Sequence, residues 1–214
     1  PLSDSKVIIQ GSDGESYEMS TDGNGGLSLC EGEIKKDVNY SVDVSKTGYI
    51  GTGDQFSTLG LTESTTFARE YFLKEVVIEK EYDLPLVLYP YDRAELLVND
   101  EVNSEDSLMF LFDLLTRNQT FVIQLEAHTD SRGNPDYNQN LSQRRAETCV
   151  NFLIAKGIDA ARLKPVGLGE SAPIIKESEI NAMATTEEQE AAHQVNRRTV
   201  FKIISYDYVP PEDN

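Results

Sequence analysis

The sequence is poor in the residues from which metal sites and membrane spans are built. It has no tryptophan, two cysteines and two histidines among 214 residues. Two histidines without matched spacing do not make a zinc site, so we expect no metal and no other cofactor. No run of roughly 18 apolar residues occurs, so we expect no helix that spans a bilayer.

Basic residues are also scarce. Lysine and arginine together number 19 against 37 aspartates and glutamates, and the formal net charge is −18. Phosphate backbones repel a surface of this sign, and anionic membrane surfaces do the same. The composition therefore argues against nucleic acid as a partner.

The two cysteines, Cys30 and Cys149, fall in different predicted domains. A disulfide between them would be an unusual link, and cysteines with distant Cα atoms stay unpaired even in an oxidising compartment. The sequence leaves their redox state open. Cys149 lies in a predicted amphipathic helix, where its spacing favours the role of a small buried apolar side chain.

The first 76 residues have the pattern of an all-β domain. Short runs rich in β-branched or aromatic residues are separated by glycine-rich turns, which is typical of a small sandwich. The runs are residues 7–9, 27–29, 40–44 and 67–77. In the third run apolar and polar residues alternate, as in a strand with one buried face.

The turn segments GSDG at 11–14 and TDGNGGL at 21–27, followed by YSVDVSKTGY at 40–49, resemble the carboxypeptidase regulatory-like domain. The resemblance implies a Greek-key β-sandwich that serves as an accessory module without activity of its own. Asp22 and Asn24 lack the twelve-residue spacing and terminal glutamate of a calcium loop. We therefore interpret them as residues of a tight turn.

From residue 77 onward the pattern changes. Residues 77–84 are charged and are predicted to be a linker, residues 85–208 form a second domain, and the tail at 209–214 is predicted to be disordered. The predicted strands are 86–89, 121–127, 163–168 and 197–206, and the predicted helices are 104–117 and 138–156. The order βαβαββ predicts helices packed on a mixed sheet, so the whole chain belongs to the α+β class.

Local signals support the helix ends. Asn103 or Ser104 is placed to cap the first helix, and Gly157 is placed to end the second. The acidic segment 170–194 separates the last two strands and contains a short predicted helix at 186–192. We interpret this segment as a solvated lid or spacer.

The most informative stretch is LEAHTD at 125–130, followed by NQNLSQRRA at 138–146. It predicts a buried strand, a polar loop and an amphipathic helix. Asp130 leaves the strand, and Arg145 lies about two turns into the helix. A carboxylate and a guanidinium fixed side by side match an ammonium and a carboxylate on one carbon, the head group of an amino acid. No nucleophile accompanies the pair, which indicates recognition and not catalysis.

These residues resemble the OmpA C-terminal-like family, a peptidoglycan-binding domain of Gram-negative envelope proteins. Three segments carry the resemblance in the family's order: LYPYDRAEL at 88–96, the signature at 126–146, and NRRTVF at 196–201. The two domains in this order resemble multidomain envelope proteins of the Bacteroidetes. The resemblance implies a periplasmic protein associated with the outer membrane and cell wall, with other envelope proteins as partners of the N-terminal domain.

The resemblance also assigns residues to the ligand, which in this family is the diaminopimelate of the peptidoglycan stem peptide. Asp130 matches the residue that binds the ammonium, and Arg145 the residue that binds the carboxylate. Asn138, at the predicted start of the helix, matches an asparagine that contributes polar contacts. Thr129 and Leu141 line the same region. The implied function is a non-catalytic anchor to the wall.

Three other interpretations remain open. Asp130 and Arg145 could form a mutual salt bridge that only ties the loop to the helix. The chain could be a periplasmic scaffold that no longer binds the wall, because Pro90 stands where many family members carry aspartate or asparagine. A hydrolase could use Glu126, His128 or Asp130 as its base.

The neighbouring residues have simpler interpretations. We interpret His128 as a hydrogen-bonded histidine that braces the loop, and Arg144 as a residue that faces solvent. Arg197 and Arg198 lie on the predicted last strand. Adjacent strand residues face opposite ways, so at most one of these two approaches the cleft.

Overall fold

The computed structural model describes residues 1–29, 32–84, 87–90 and 92–211. The chain forms two compact units, Pro1–Val76 and Val77–Asn214. Cys30 lies outside the described residues, so its pairing with Cys149 stays untested. The predicted start of the second domain at 85–86, Tyr91 and the last three residues of the tail also lie outside them.

The N-terminal unit is built on one antiparallel sheet. Its strands are β1 (Lys6–Gly11), β2 (Ser16–Ser20), β3 (Asn39–Ser45), β4 (Tyr49–Ile50), β5 (Thr52–Ser57) and β6 (Lys74–Glu75). Four of them form a sheet in the order β2-β1-β3-β5, and β4 pairs with β6. Alternate residues of β1 and β3 are buried, so one face of the sheet carries the core.

Two predicted strands of this unit were wrong. Residues 27–29 form no strand, and within 67–77 only β6 is paired. Leu29, Tyr71 and Leu73 nevertheless pack against the core, because an apolar pattern records burial and not backbone pairing. Strands β2 and β5 are paired but largely polar, so the apolar pattern did not reveal them. The Greek-key sandwich and the regulatory-like resemblance stay predictions.

The turn at Asp22 has the form that the sequence suggested. Its Oδ1 accepts hydrogen bonds from the backbone N of Asn24 and of Gly26, both at 2.8 Å. Gly25 has φ +72°, a left-handed conformation that glycine adopts without strain. The carboxylate thus closes a turn. Across the described residues, no group of three or more His, Cys, Asp or Glu side chains is placed to hold a metal ion.

The C-terminal unit is a mixed sheet with helices. In chain order its elements are β7 (Glu81–Asp83), α1 (Ser104–Arg117), β8 (Val122–His128), α2 (Pro135–Ala155), β9 (Leu163–Gly169), α3 (Glu177–Ile180), α4 (Thr186–Asn196) and β10 (Thr199–Ser205). The sheet order is β7-β10-β8-β9, and only β8 and β9 are parallel. In the part of the chain described, no helix is long and apolar enough to cross a membrane.

Both main helices follow their capping signals. Asn103 caps α1 and accepts a hydrogen bond from the backbone of Glu105. Helix α2 begins at Pro135, not at Asn138, because Asn134 caps it and proline suits the first helical turn. Asn138 therefore lies one turn inside the helix. Gly157, with φ +105°, follows the end of α2 as predicted.

The first strand of this unit lies in the segment that was predicted to be a linker. Strand β7 is an edge strand with exposed Glu81 and Asp83, and its Tyr82 ring stacks on Phe201 at 5.2 Å. The charged sequence of β7 did not indicate a strand, because an edge strand buries few of its side chains. Residues 87–89, which belong to the predicted strand 86–89, form no strand. Strand β10 begins only at Thr199.

Helix α2 and strand β9 approach each other closely at Gly167. A Cβ built there would lie 2.2 Å from the backbone N of Gln143 and 2.7 Å from Ser142 Oγ. Ser142 Oγ in turn accepts a hydrogen bond from the backbone N of Gly169 at 2.8 Å. Only glycine fits at this point, because backbone and not a flexible side chain would have to move.

We expect Gly167→Ala to destabilise the C-terminal unit by about 1–3 kcal/mol, the usual cost of overpacking. Urea unfolding followed by helical circular dichroism measures this, since all the described helices belong to this unit. Gly23→Ala is the control, because a Cβ at Gly23 meets nothing within 4 Å. Equal midpoints for the two variants would contradict the close approach.

Candidate functional site

The predicted ligand residues gather where β8 ends. Because β8 and β9 are parallel, their carboxyl ends lie at one edge of the sheet. Thr129 and Asp130 follow β8, and the backbone N of Thr129 donates to Gly169 O at 2.9 Å. Asn138 and Arg145 come from α2, and both are buried. The strand end and the helix thus bring the motif residues to one place.

Asp130 is already paired with two arginines. Its Oδ2 accepts hydrogen bonds from Arg132 Nη2 at 2.7 Å and from Arg197 Nη1 at 2.5 Å. Its Oδ1 accepts one from the backbone N of Arg132 at 3.1 Å. Burial disfavours the ionised form, but the bonds from Arg132 and Arg197 outweigh it and hold the pKa of Asp130 below its usual value.

Glu190, on α4, completes a ring of four charges. Its carboxylate accepts a hydrogen bond from Arg132 Nη1 at 2.8 Å and from Arg197 Nη2 at 2.7 Å. We call Asp130, Arg132, Glu190 and Arg197 the charge ring. Two positive and two negative groups alternate in it, so the ring as a whole is neutral.

Segment 170–194 is largely exposed, in agreement with its interpretation as a solvated segment, but the charge ring also ties it to the loop after β8. This segment contains α3 and most of α4, and its acidic side chains contact the loop after β8 at two points and helix α2 at a third. Glu190 binds through the ring, Glu177 accepts a hydrogen bond from Ser131, and Glu170 accepts one from Asn138 at 2.7 Å. The acidic side chains of the segment therefore fix the loop that carries Asp130.

Arg145 differs from the ring arginines because it is buried without an acidic partner. It is 7% exposed, and its Nε donates to Arg93 O at 2.9 Å. Its guanidinium lies 4.6 Å from the centroid of the Tyr89 ring. No carboxylate in the described part of the chain lies within 4.0 Å of it, so the proposed salt bridge to Asp130 is not formed. Burial lowers the pKa of Arg145.

Arg162 shows how the same unit buries a purely structural arginine. Its guanidinium donates to three backbone carbonyls, those of Phe121, Leu115 and Asn118, at 2.7–2.9 Å. Two of these carbonyls lie at the end of α1, where the helix dipole favours a cation. Arg145 has a single carbonyl partner among the described residues, so most of its donors remain available.

The other predicted residues play supporting parts. Asn138 Nδ2 donates to the carbonyls of Asp130 and Arg132, at 3.3 and 3.2 Å, so its side chain braces the loop. Thr129 Oγ1 is buried and has no hydrogen-bond partner in the described structure. Leu141 is buried in the core. Asn138 is therefore a positioning residue, and Thr129 has an unused hydroxyl.

His128 corrects a second expectation. It is 2% exposed, and neither ring nitrogen has a hydrogen-bond partner among the residues described. Burial, followed by the charge of Arg198, lowers its pKa to about 4. Glu126 binds Lys202 at 3.0 Å and does not bind His128. No acid among the described residues is hydrogen-bonded to the imidazole, so His128 lacks the partner that orients a histidine base in many hydrolases.

A small cavity of about 110 Å³ lies beside these residues. Its polar lining comes from Tyr89, His128, Arg145, Gln194, Arg197 and Arg198. Both arginines of the 196–201 segment reach it, contrary to the expectation that at most one would. They precede β10, so the alternation of strand side chains does not apply to them.

The sequence did not reveal three residues of the site, Arg132, Glu190 and Tyr89. Arg132 lies two positions after Asp130, where a loop side chain can fold back on its own segment, and that spacing was the only available signal. Glu190 is 58 positions from Arg132, and one acid in an acidic helix carries no mark of its partner. Tyr89 was assigned to a strand that is not there.

Comparison with known proteins agrees with the motif. Residues 91–187 match the model of the OmpA family. The peptidoglycan-associated lipoprotein of Haemophilus influenzae is 40% identical over 79 residues, which cover 37% of this chain and 45% of that protein. That of Pasteurella multocida is 33% identical over 106 residues, 48% of this chain and 64% of that protein.

Other matches are of the same kind. Outer membrane porin F of Pseudomonas fluorescens is 34% identical over 122 residues, 57% of this chain and 32% of that protein. The crystal structure of the peptidoglycan-associated lipoprotein from Burkholderia pseudomallei superposes with a TM-score of 0.42 at 22% identity, over 55% of this chain and 86% of that one. Residues 91–187 thus resemble the OmpA family, and the relatives that the sequence matches are named as outer membrane proteins or peptidoglycan-associated lipoproteins.

The match is partial in both directions. The chain spans 45% and 64% of the lengths of the two lipoproteins. The regulatory-like resemblance of the first 76 residues stays a prediction, as does the Bacteroidetes type.

We expect His128 to make the C-terminal unit less stable as the pH falls from 6.5 to 4. In this pH window His128 binds a proton in the unfolded chain but not in the folded one. Proton binding therefore stabilises the unfolded state and lowers the free energy of unfolding. The difference between a folded pKa of about 4 and the ordinary value of 6.5 corresponds to a loss of about 3 kcal/mol in the free energy of unfolding. Urea unfolding at several pH values measures it. His128→Gln keeps the other titrating groups, so parallel profiles for both proteins would contradict the prediction.

Proposed function

We propose that the C-terminal unit binds peptidoglycan non-covalently and anchors an envelope protein or complex to the cell wall. The match of residues 91–187 to the OmpA family supports this, as do relatives that are named for their association with peptidoglycan. The site favours binding over catalysis, since its one histidine has no acidic partner in the described structure. The unit would work in the periplasm, next to the outer membrane.

The ligand that we propose is the diaminopimelate of the stem peptide, whose free end carries one ammonium and one carboxylate. Arg145 is the observation that carries the proposal. A guanidinium that is buried beside an aromatic ring, with no carboxylate from the described chain, suits a ligand carboxylate. Two parallel hydrogen bonds would form, each contributing about 1.5–3 kcal/mol. The ligand would supply the charge that Arg145 lacks.

The ammonium would bind Asp130. The Oδ2 atom already accepts from Arg132 and Arg197, whereas Oδ1 accepts only one backbone hydrogen bond. The ammonium would therefore approach Oδ1, or replace Arg197, which keeps its bond to Glu190. Asn138 would hold the loop in place during this exchange.

Two further residues complete the proposed site. Thr129 offers a buried hydroxyl that has no partner within the described residues. Leu141 would act through the core that supports the first turns of α2. We propose contacts with other envelope proteins for the N-terminal unit, whose β2 and β5 are the edge strands of its sheet.

A scaffold without wall binding is the second candidate, and two observations favour it. The negative charge of Asp130 is already balanced by Arg132 and Arg197. Pro90 offers no donor, and its carbonyl accepts from the backbone N of Arg93 at 3.1 Å. Calorimetry with a diaminopimelate-containing stem peptide separates the candidates, because a scaffold releases no heat of binding.

We expect Arg145→Gln to weaken binding to purified diaminopimelate-type peptidoglycan by roughly a hundredfold. The estimate assumes the loss of about 3 kcal/mol in charge-assisted hydrogen bonds. Sedimentation of the protein with insoluble wall, at increasing wall concentration, gives the binding curve. Arg144→Gln is the matched control, since it removes the same charge from an exposed position on the same helix.

Asp130→Asn tests the second half of the clamp. It leaves the shape of the site but removes the charge that an ammonium needs, and we expect a clear loss of wall binding. If the Arg145→Gln and Asp130→Asn proteins both sediment with wall like the wild type, these residues do not form the site. If the wild type itself does not sediment, the scaffold interpretation stands.

A further inference from the structure

The N-terminal unit has a large cavity on the apolar face of its main sheet. The space measures about 1200 Å³, and it is bordered by the buried side chains of Val7 and Ile9 on β1 and of Val42 and Val44 on β3. Protein interiors are close-packed, and pockets for small ligands measure roughly 300–1,000 Å³. The cavity is therefore larger than a small molecule needs, and the core of the unit forms one of its walls.

Another wall of the cavity is a segment whose backbone is not paired. Residues 61–73, apart from Ala68, all border the space. In the described part of the chain, no backbone group of residues 62–73 forms a hydrogen bond with another backbone group. A row of main-chain donors and acceptors therefore lies along the cavity, where water or a ligand can bind it.

Residues 67–73 nevertheless have the side-chain pattern of a strand, and we call them the open strand. Their odd-numbered apolar residues are half-buried, and their even-numbered residues are exposed. Phe72, among the latter, is 83% exposed. The open strand continues into β6, which pairs with β4 only from Lys74 onward. An unpaired edge that exposes apolar side chains is a template for another strand.

The pairing of β6 indicates which way the amides of the open strand point. Val76 donates its backbone N–H to Gly48 O at 2.8 Å, so the even-numbered amides of this run face β4. Successive residues of a strand direct their N–H groups to opposite edges. The amides of Arg69, Tyr71 and Leu73 therefore face the edge that lies away from β4.

The charges beside the open strand favour a basic partner. Glu63 and Glu70 are exposed and have no ionic partner among the described residues, whereas Arg69 is bound to Asp54 at 3.0 Å. The whole chain has a net charge of −18. A second copy of the chain would bring more negative charge to this edge, and like charges across an interface oppose binding.

We propose that the open strand binds an extended segment of a partner protein, in which apolar residues alternate with basic ones, as an added β-strand. The segment would pair with the amides of Arg69, Tyr71 and Leu73. Its apolar side chains would enter the cavity, and its basic side chains would lie beside Glu70. Added strands gain affinity from main-chain hydrogen bonds and specificity from pockets for alternate side chains. The inference goes beyond wall binding, and it gives the N-terminal unit a binding surface other than β2 and β5.

The probe is a heptapeptide with blocked ends, in which lysine and valine alternate and lysine stands at both ends. The full chain is titrated with it, and nuclear magnetic resonance measures the solvent exchange of each backbone amide. We expect saturable binding with a Kd below about 1 mM. At saturation the amides of Arg69, Tyr71 and Leu73 should exchange more slowly by roughly tenfold or more, because they become hydrogen-bonded. Those of Ala68, Glu70 and Phe72 should change less.

Three modified peptides separate the contributions. One is N-methylated on its valines and one on its lysines, so that each keeps every side chain but loses alternate backbone donors. A strand presents alternate amides to one neighbour, so one of these two peptides should bind roughly tenfold more weakly and the other should bind like the parent. The third has glutamate in place of lysine and should also bind roughly tenfold more weakly, because it meets Glu63 and Glu70.

A pair of variants tests the backbone of the open strand itself. Arg69→Pro removes one of the amides that face the open edge, and Arg69→Ala loses the same side chain but keeps the amide. We expect the proline variant to bind the heptapeptide roughly tenfold more weakly than the alanine variant. The amide spectrum of β1 and β3 shows whether each variant is folded. If the proline variant is not, the two N-methylated peptides decide the question with the wild type.

Four results would overturn the inference: no saturation by the heptapeptide, equal binding by the parent and both N-methylated peptides, protection of β2 or β5 amides in place of the open strand, or self-association of the chain that protects the open strand without any peptide. The last would identify a second copy as the occupant. Wall binding is tested separately, since Arg145→Gln should leave heptapeptide binding unchanged and Arg69→Pro should leave sedimentation with peptidoglycan unchanged.

Discussion

The Asp130 carboxylate is the point at which two segments of the C-terminal unit meet, the loop after β8 and helix α4. Arg132 comes from the loop after β8, Arg197 from the end of α4, and both are held a second time by Glu190. These contacts therefore hold the loop after β8 in one position relative to the acidic segment. Removing the central charge would leave Arg132 and Arg197 to share Glu190, their remaining acidic partner among the described residues. The Asp130 carboxylate therefore sets the position of the loop after β8 relative to α4.

The sequence alone predicted the periodic elements of this unit. Burial imposes a period of 3.6 on α1 and of 2 on β8, so Leu108, Leu111, Ile123 and Leu125 revealed themselves by spacing. Caps such as Asn103 fixed helix ends. The edge strand β7 and the segment at residues 87–89 were misassigned because pairing and burial do not coincide there.

The site was predictable only in part. Asp130 and Arg145 were recognised because they lie in one continuous motif, whereas the bond from Arg197 to Asp130 spans 67 positions. Ionic partners at that distance leave no pattern in a single sequence. The neutral, unpartnered state of His128 also depends on what surrounds it, which only the fold supplies. The sequence thus predicted the candidate ligand residues, and the structure showed that one of them, Asp130, already has ionic partners within the chain.

The position of β10 has a consequence for how the unit forms on the ribosome. This last strand lies between β7 and β8, so β7, made early in the synthesis of the unit, has no described strand partner until β10 has emerged. Helices α1 and α2 can form with β8 and β9 before that, because their contacts are local or nearly so. A chain cut short before residue 199 would lack β10, and both β7 and the facing edge of β8 would lose the strand that pairs with them.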